Sequence, residues 1–97
     1  MSGRLSDEQI TGGLEHHPAW HREGDTLKRV VEADDFPTAI RIVVAVADIA
    51  ESMDHHPDID IRWRTLHFAL STHSAGGITQ LDLDLAAHID AVADSRL

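Results

Sequence analysis

The stretch DFPTAIRIVVAVADIAESM, residues 35–53, decides the fold. Its run Ile42-Val43-Val44 would suit a buried strand, because β-branched residues pack well on a pleated surface. Length decides against this, since the usual strand is about 5–6 residues long. Asp35 can cap a helix, and Pro37 falls in the first turn, where its missing N–H costs nothing. Phe36, Ile40, Val43, Ala47, Ala50 and Met53 follow helical spacing, which predicts one long helix burying that stripe.

On the N-terminal side, Ser6 followed by Asp7, Glu8 and Gln9 reads as a helix start. Gly12-Gly13 is expected to end that helix early. From Ala19 to Glu32 the pattern is extended, with Trp20, a turn at Glu23-Gly24-Asp25, then Leu27, Val30 and Val31; two strands joined as a hairpin follow. On the C-terminal side the period changes to two. Leu66, Phe68 and Leu70 alternate with His67, Ala69 and Ser71, with Arg62, Trp63 and Arg64 leading in, so one core strand is expected. Ser74-Ala75-Gly76-Gly77 is a turn, and Thr79 opens a last helix with Leu81, Leu85, Ile89 and Val92 on its buried stripe. The expected fold is α+β, a small antiparallel sheet with helices packed on one face, in the order α-β-β-α-β-α. Residues 1–97 form a single domain, since two cores in so short a chain would each be marginal.

Seventeen acidic against eight basic side chains leave a formal charge of −9, a field that repels phosphate backbones. Nucleic acid and anionic membranes are therefore not expected partners. The chain has no cysteine, so disulfides, thiolate metal sites and a cysteine nucleophile are all excluded. The longest apolar stretch, Ile40–Ala47, is closed by Asp48 and Glu51 and is too short to span a bilayer, and residues 1–13 lack a signal-like apolar run. A cytoplasmic location is the default expectation.

Eight histidines are a clear excess for this length. Glu51 and His55 are four apart at a helix end, which would place both on one face. Pro57 forces His56 out of helical geometry, His73 ends the core strand, and Asp82 lies in the first turn of the last helix. Several imidazoles with a carboxylate suit acid–base chemistry near neutral pH. Plainer roles compete: Asp82 completes a capping box with Thr79, and His55 and His56 can serve the helix C-terminus. Three histidines and an acid would also serve zinc, but adjacent histidines seldom turn to one ion and no His-x-x-x-His pair accompanies them. His16-His17-Pro18 echoes His55-His56-Pro57 without the matching helix and strand, and is expected to be a surface loop outside the site.

The stretch from Glu51 to Ala86 resembles the pterin-4a-carbinolamine dehydratases. Their pattern is an acid four residues before His-His-Pro, a strand ending in Ser/Thr-Thr-His, a small-residue turn with Gly, and Thr/Ser-x-x-Asp opening a helix. It is matched here by Glu51, His55-His56-Pro57, Ser71-Thr72-His73, Gly77 and Thr79-x-x-Asp82. The resemblance implies an enzyme that dehydrates 4a-hydroxytetrahydropterin to quinonoid dihydropterin, in recycling of the tetrahydropterin used by aromatic amino acid hydroxylases. It implies His55, His56, His73 and Asp82 as catalytic residues, Glu51 near the pterin, neither metal nor organic cofactor, and a homodimer or homotetramer. Ile59 stands where animal members carry a tryptophan, and Trp63 is the expected substitute aromatic surface for the pterin. Two other functions compete: a non-catalytic dimerisation, assembly or coactivator-like role on the same fold, and a metal-dependent hydrolase using the same histidines.

Overall fold

The computed structural model describes residues 3–95; the ends of the expected 1–97 domain lie outside them. Its elements are α1 (Asp7–Leu14), β1 (His21–Glu23), β2 (Thr26–Glu32), α2 (Phe36–Met53), β3 (Asp58–Arg62), β4 (Thr65–Leu70), a short 3₁₀ turn (His73–Ala75) and α3 (Gln80–Asp94). The four strands form one antiparallel sheet in the order β1-β2-β4-β3. Leu27 and Val31 of β2, with Leu66, Phe68 and Leu70 of β4, point to one face and meet Ile10, Ile42, Val46, Leu85 and Ile89 from the helices. The α+β class, with helices on one face, is therefore as the sequence predicts. Among the described residues no helix is long and apolar enough to cross a membrane.

One strand joins those expected. Residues 58–62, for which the sequence predicts no strand and which reach the expected lead-in only at Arg62, pair with β4 from Asp58↔Ala69 to Arg62↔Thr65. The order is therefore α-β-β-α-β-β-α. Both hairpins close on two-residue turns whose first residue has positive φ: Gly24 (59°) after β1 and Trp63 (55°) after β3. Glycine announces such a turn because it lacks a Cβ, whereas a tryptophan there carries no signal. β3 is also an edge strand, largely exposed, so its charges do not rule it out.

Three local expectations are corrected. α1 runs through Gly12-Gly13 to Leu14; a Cβ on Gly13 would lie 2.6 Å from Leu83 Cδ1, so this glycine lets α1 pack closely on α3. The core stripe of α2 is Ala39, Ile42, Val46 and Ala50, offset from the predicted one. Of the predicted stripe Ala50 is buried, but Phe36 stands 46% exposed, and Val44, outside that stripe, 56%. That helix is apolar nearly all round, so spacing alone does not choose between neighbouring stripes. On α3, Leu85 and Ile89 are buried as expected, joined by Leu83 and Ala86, while Leu81 and Val92 are only half-buried.

A second polar cluster ties the sheet to α3. Asp90 accepts from the Trp20 indole N–H (2.8 Å), bonds the His17 ring (2.9 Å) and pairs with Arg29. Arg29 alternates with Leu27 and Val31 on the helix-facing side of β2, so its charge would otherwise be stranded against the core. His17 thus anchors the loop after α1, and the His16-His17-Pro18 echo stays outside the histidine site, as expected.

Candidate active site

The site is assembled where α2 ends, β4 ends and α3 begins. Asp54 adopts the left-handed conformation (φ 51°, ψ 42°) and stops α2, and the His55 N–H turns back onto the Ala50 carbonyl at 3.0 Å. Pro57 keeps His56 extended and delivers the chain to β3. This bend swings the His55 ring inward, where it is buried, and leaves His56 outside.

On the far side, β4 continues its alternation one step past its last ladder pair. Leu66, Phe68 and Leu70 face inward, and so does Thr72, held by backbone bonds to Gly77. The Ser71 hydroxyl donates to the Asp25 carbonyl at 2.8 Å, fixing the strand end against the first hairpin. His73 then faces solvent as the first residue of the 3₁₀ turn, and Gly76 (φ 71°) reverses the chain toward Thr79, the N-cap of α3.

Asp82 joins the two sides. It is fully buried and its Oδ1 lies 2.6 Å from His55 Nε2. Its Oδ2 accepts from the Thr79 backbone N–H (2.9 Å) and the Thr72 hydroxyl (2.8 Å). The capping box and the histidine contact, alternatives in the sequence, are both present, because one carboxylate has a face for each. At 2.6 Å the bond is short, and burial strengthens it by removing competing water.

Glu51 does not pair with His55. The left-handed residue at Asp54 breaks the helical register, so the four-residue spacing no longer holds, and Glu51 Oε1 instead meets His56 Nε2 at 2.9 Å. Both of those side chains are well exposed, which makes the pair weak and salt-sensitive. Trp63 is set apart: it lies at the opposite end of the β3–β4 hairpin from the histidines, about 17 Å along the strand from Asp58 at the usual rise per residue. Its ring is solvent-exposed and stacks under the Arg64 guanidinium at 5.3 Å. Thr72 was visible in the sequence only as part of Ser71-Thr72-His73. Its signal was its place, a polar residue continuing the buried alternation.

Among the described residues no three of His, Asp and Glu converge as metal ligands would. A groove of about 470 Å³ crosses the uncovered face of the sheet, lined by His21, Lys28, Val30, Asp58, Asp60 and His67 among others. Neither of its histidines pairs with a buried carboxylate, as His55 does with Asp82.

The fold defines a small α+β protein with a buried histidine–carboxylate pair at the junction of a helix end, a strand end and a helix start. Residues 3–92 match the family model for pterin 4 alpha carbinolamine dehydratase, and the chain belongs to that family. A relative from Nocardia farcinica, whose name places it in the same family, is 58% identical over 89 residues, covering 92% of this chain and 94% of its own. One from Roseiflexus sp. (strain RS-1) is 48% identical over 92 residues, covering 95% and 99%. Among solved structures, a transcriptional coactivator/pterin dehydratase from Brucella melitensis superposes with a TM-score of 0.91 at 29% identity, covering 94% of this chain and 99% of that one. A pterin dehydratase-like RuBisCO assembly factor of the alpha-carboxysome shares the fold, with a TM-score of 0.69 at 23% identity over 84% of this chain and 96% of its own.

Proposed function

We propose that this protein dehydrates 4a-hydroxytetrahydropterin to quinonoid dihydropterin by histidine acid–base catalysis. The observation that carries this reading is the His55–Asp82 bond, buried and 2.6 Å long, within a family of carbinolamine dehydratases. The reaction breaks the C4a–O bond. A proton is delivered to the departing hydroxyl, which leaves as water, and another is taken from a ring nitrogen, so the ring gains a double bond without any redox change. One imidazole gives and one takes, and His55 and His73 are the assigned pair. Asp82 orients His55 and supports its charged form. His56, exposed and paired with Glu51, binds substrate, with Glu51 at the pterin's polar edge. Trp63, at the far end of the hairpin, has no part in this assignment. General acid–base help of about 10²–10⁴-fold per group is adequate for a reaction that already proceeds in water.

Self-association belongs to the same reading. The outer stripe of α2, with Phe36 and Val44 exposed, is the surface a dimer or tetramer would cover. A non-catalytic assembly or coactivator role is the second reading, favoured by the names of the two solved neighbours.

The test is to generate a 4a-hydroxytetrahydropterin with an aromatic hydroxylase and follow its decay spectroscopically. Wild-type protein should accelerate the decay, and folded His73→Ala should lose most of that acceleration. No acceleration by folded wild-type protein would transfer the case to the assembly role, and full activity of His73→Ala would remove His73 from the mechanism.

A further inference from the structure

We infer that His55 exchanges its proton through Nδ1, and that Thr72 and Thr79 are positioning residues that impose this choice. The inference deepens the dehydratase reading and rests on it for its kinetic part.

It follows from counting hydrogens. A threonine hydroxyl owns one hydrogen to donate and lone pairs to accept with. The Thr72 hydroxyl donates to Asp82 Oδ2 at 2.8 Å, which leaves it only as an acceptor toward its other neighbour. That neighbour is the Thr79 hydroxyl, 2.8 Å away. Thr79 Oγ1 already accepts from the Leu81 N–H at 3.2 Å, so its own hydrogen goes to Thr72. The bonds therefore run one way, from the start of α3 through two hydroxyls into the carboxylate. The Thr79 backbone N–H adds another donor to the same oxygen at 2.9 Å.

Every protein group on Oδ2 is thus a donor, the surroundings that suit an ionised carboxylate, and an ionised Asp82 can only accept from His55. At 2.6 Å the facing His55 Nε2 must carry the hydrogen. Only Nδ1 remains to take or give a proton. Among the described residues it has no hydrogen-bond partner, yet it is not among the buried atoms left unpartnered, so it opens to solvent. A ring held by its inner nitrogen with its outer nitrogen free is what a substrate-facing base requires. Without the Thr72 hydroxyl, the carboxylate loses one of the two donors that hold Oδ2, and the His55 ring loses its fixed orientation.

The test begins with unmodified protein. In a long-range ¹H–¹⁵N spectrum of the imidazoles, neutral His55 should be the Nε2–H tautomer, and an Nδ1–H tautomer would overturn the inference. Thr72→Val keeps the side-chain shape and removes the hydroxyl. It should give a mixed His55 tautomer and lower kcat about tenfold to hundredfold, the scale of one lost bond to a charged group, with KM unchanged. Thr72→Ser, which restores the hydroxyl, should recover most of both. Wild-type tautomer and wild-type kcat in folded Thr72→Val would overturn the role of Thr72. Should that variant not fold, the wild-type spectrum and Thr72→Ser still decide, since a mixed tautomer in folded Thr72→Ser would equally overturn it. The tautomer is read without substrate, so failure of the inference and failure of the dehydratase reading are told apart.

Discussion

Replacing Asp90 by alanine should cost far more stability than its distance from the histidines suggests. Asp90 lies two helical turns beyond Asp82 on α3, about 12 Å along the axis. Its carboxylate serves three partners from two other parts of the chain: the indole N–H of Trp20, the ring of His17 and the guanidinium of Arg29. Trp20 is only 4% exposed, so its orphaned N–H should cost about 1–3 kcal/mol. Arg29 keeps 14% of its side-chain surface and already has a buried Nε without a partner. Breaking a buried ion pair costs about 3–5 kcal/mol, and the residual exposure here brings that to about 2. The sum is about 3–5 kcal/mol, a large part of the 5–15 kcal/mol typical of a domain. At about 4–8 °C per kcal/mol for this size, Tm should fall by about 12–40 °C. Thermal unfolding followed by circular dichroism, with the emission of buried Trp20 as a local probe, measures it. Asp90→Asn retains one acceptor oxygen and should lose about half as much. A drop in Tm of only a few degrees for Asp90→Ala would refute the reasoning that this carboxylate neutralises the one charge on the core side of β2.

Two further outcomes follow from the ends of α2. Asp54 sits in the left-handed region and places a negative charge at a helix C-terminus, both unfavourable, so Asp54→Gly should raise stability by about 1 kcal/mol in denaturant titration without moving His55. At the other end, hydrogen bonds from the Thr38 side chain and backbone N–H, with the charge of Arg41, hold the Asp35 carboxyl below the ordinary carboxylate range. A group whose pKa is lowered by folding stabilises the native state above its unfolded value and loses that contribution as pH falls through its folded value. The stability gap between wild type and Asp35→Asn, whose neutral cap does not titrate, should therefore narrow on acidification from neutral pH. A gap that widened in acid would reverse the assigned role of the cap.

What could be read from the sequence were features set by neighbours in the chain. The length of 35–53 with Asp35 and Pro37 at its start, the alternation of Leu66, Phe68 and Leu70, and the spacing Thr79-x-x-Asp82 all report backbone geometry, which is local, and the structure contains each of them. The family pattern, carried on Glu51 to Ala86, agrees with the family match over residues 3–92. Less legible were features that depend on which surfaces meet. Whether α2 buries Ala39 or Phe36, why Gly13 stays inside a helix, and that β3 adds to the sheet edge depend on partners far along the chain. The clearest case is Asp82. Its spacing from Thr79 marks a helix cap, but His55, 27 residues earlier, becomes its partner only because a left-handed Asp54 turns that ring inward. Sequence spacing determined which groups were present at the ends of regular elements; packing decided which of them share a hydrogen, because a buried carboxylate takes its donors from whatever the fold brings within 3 Å.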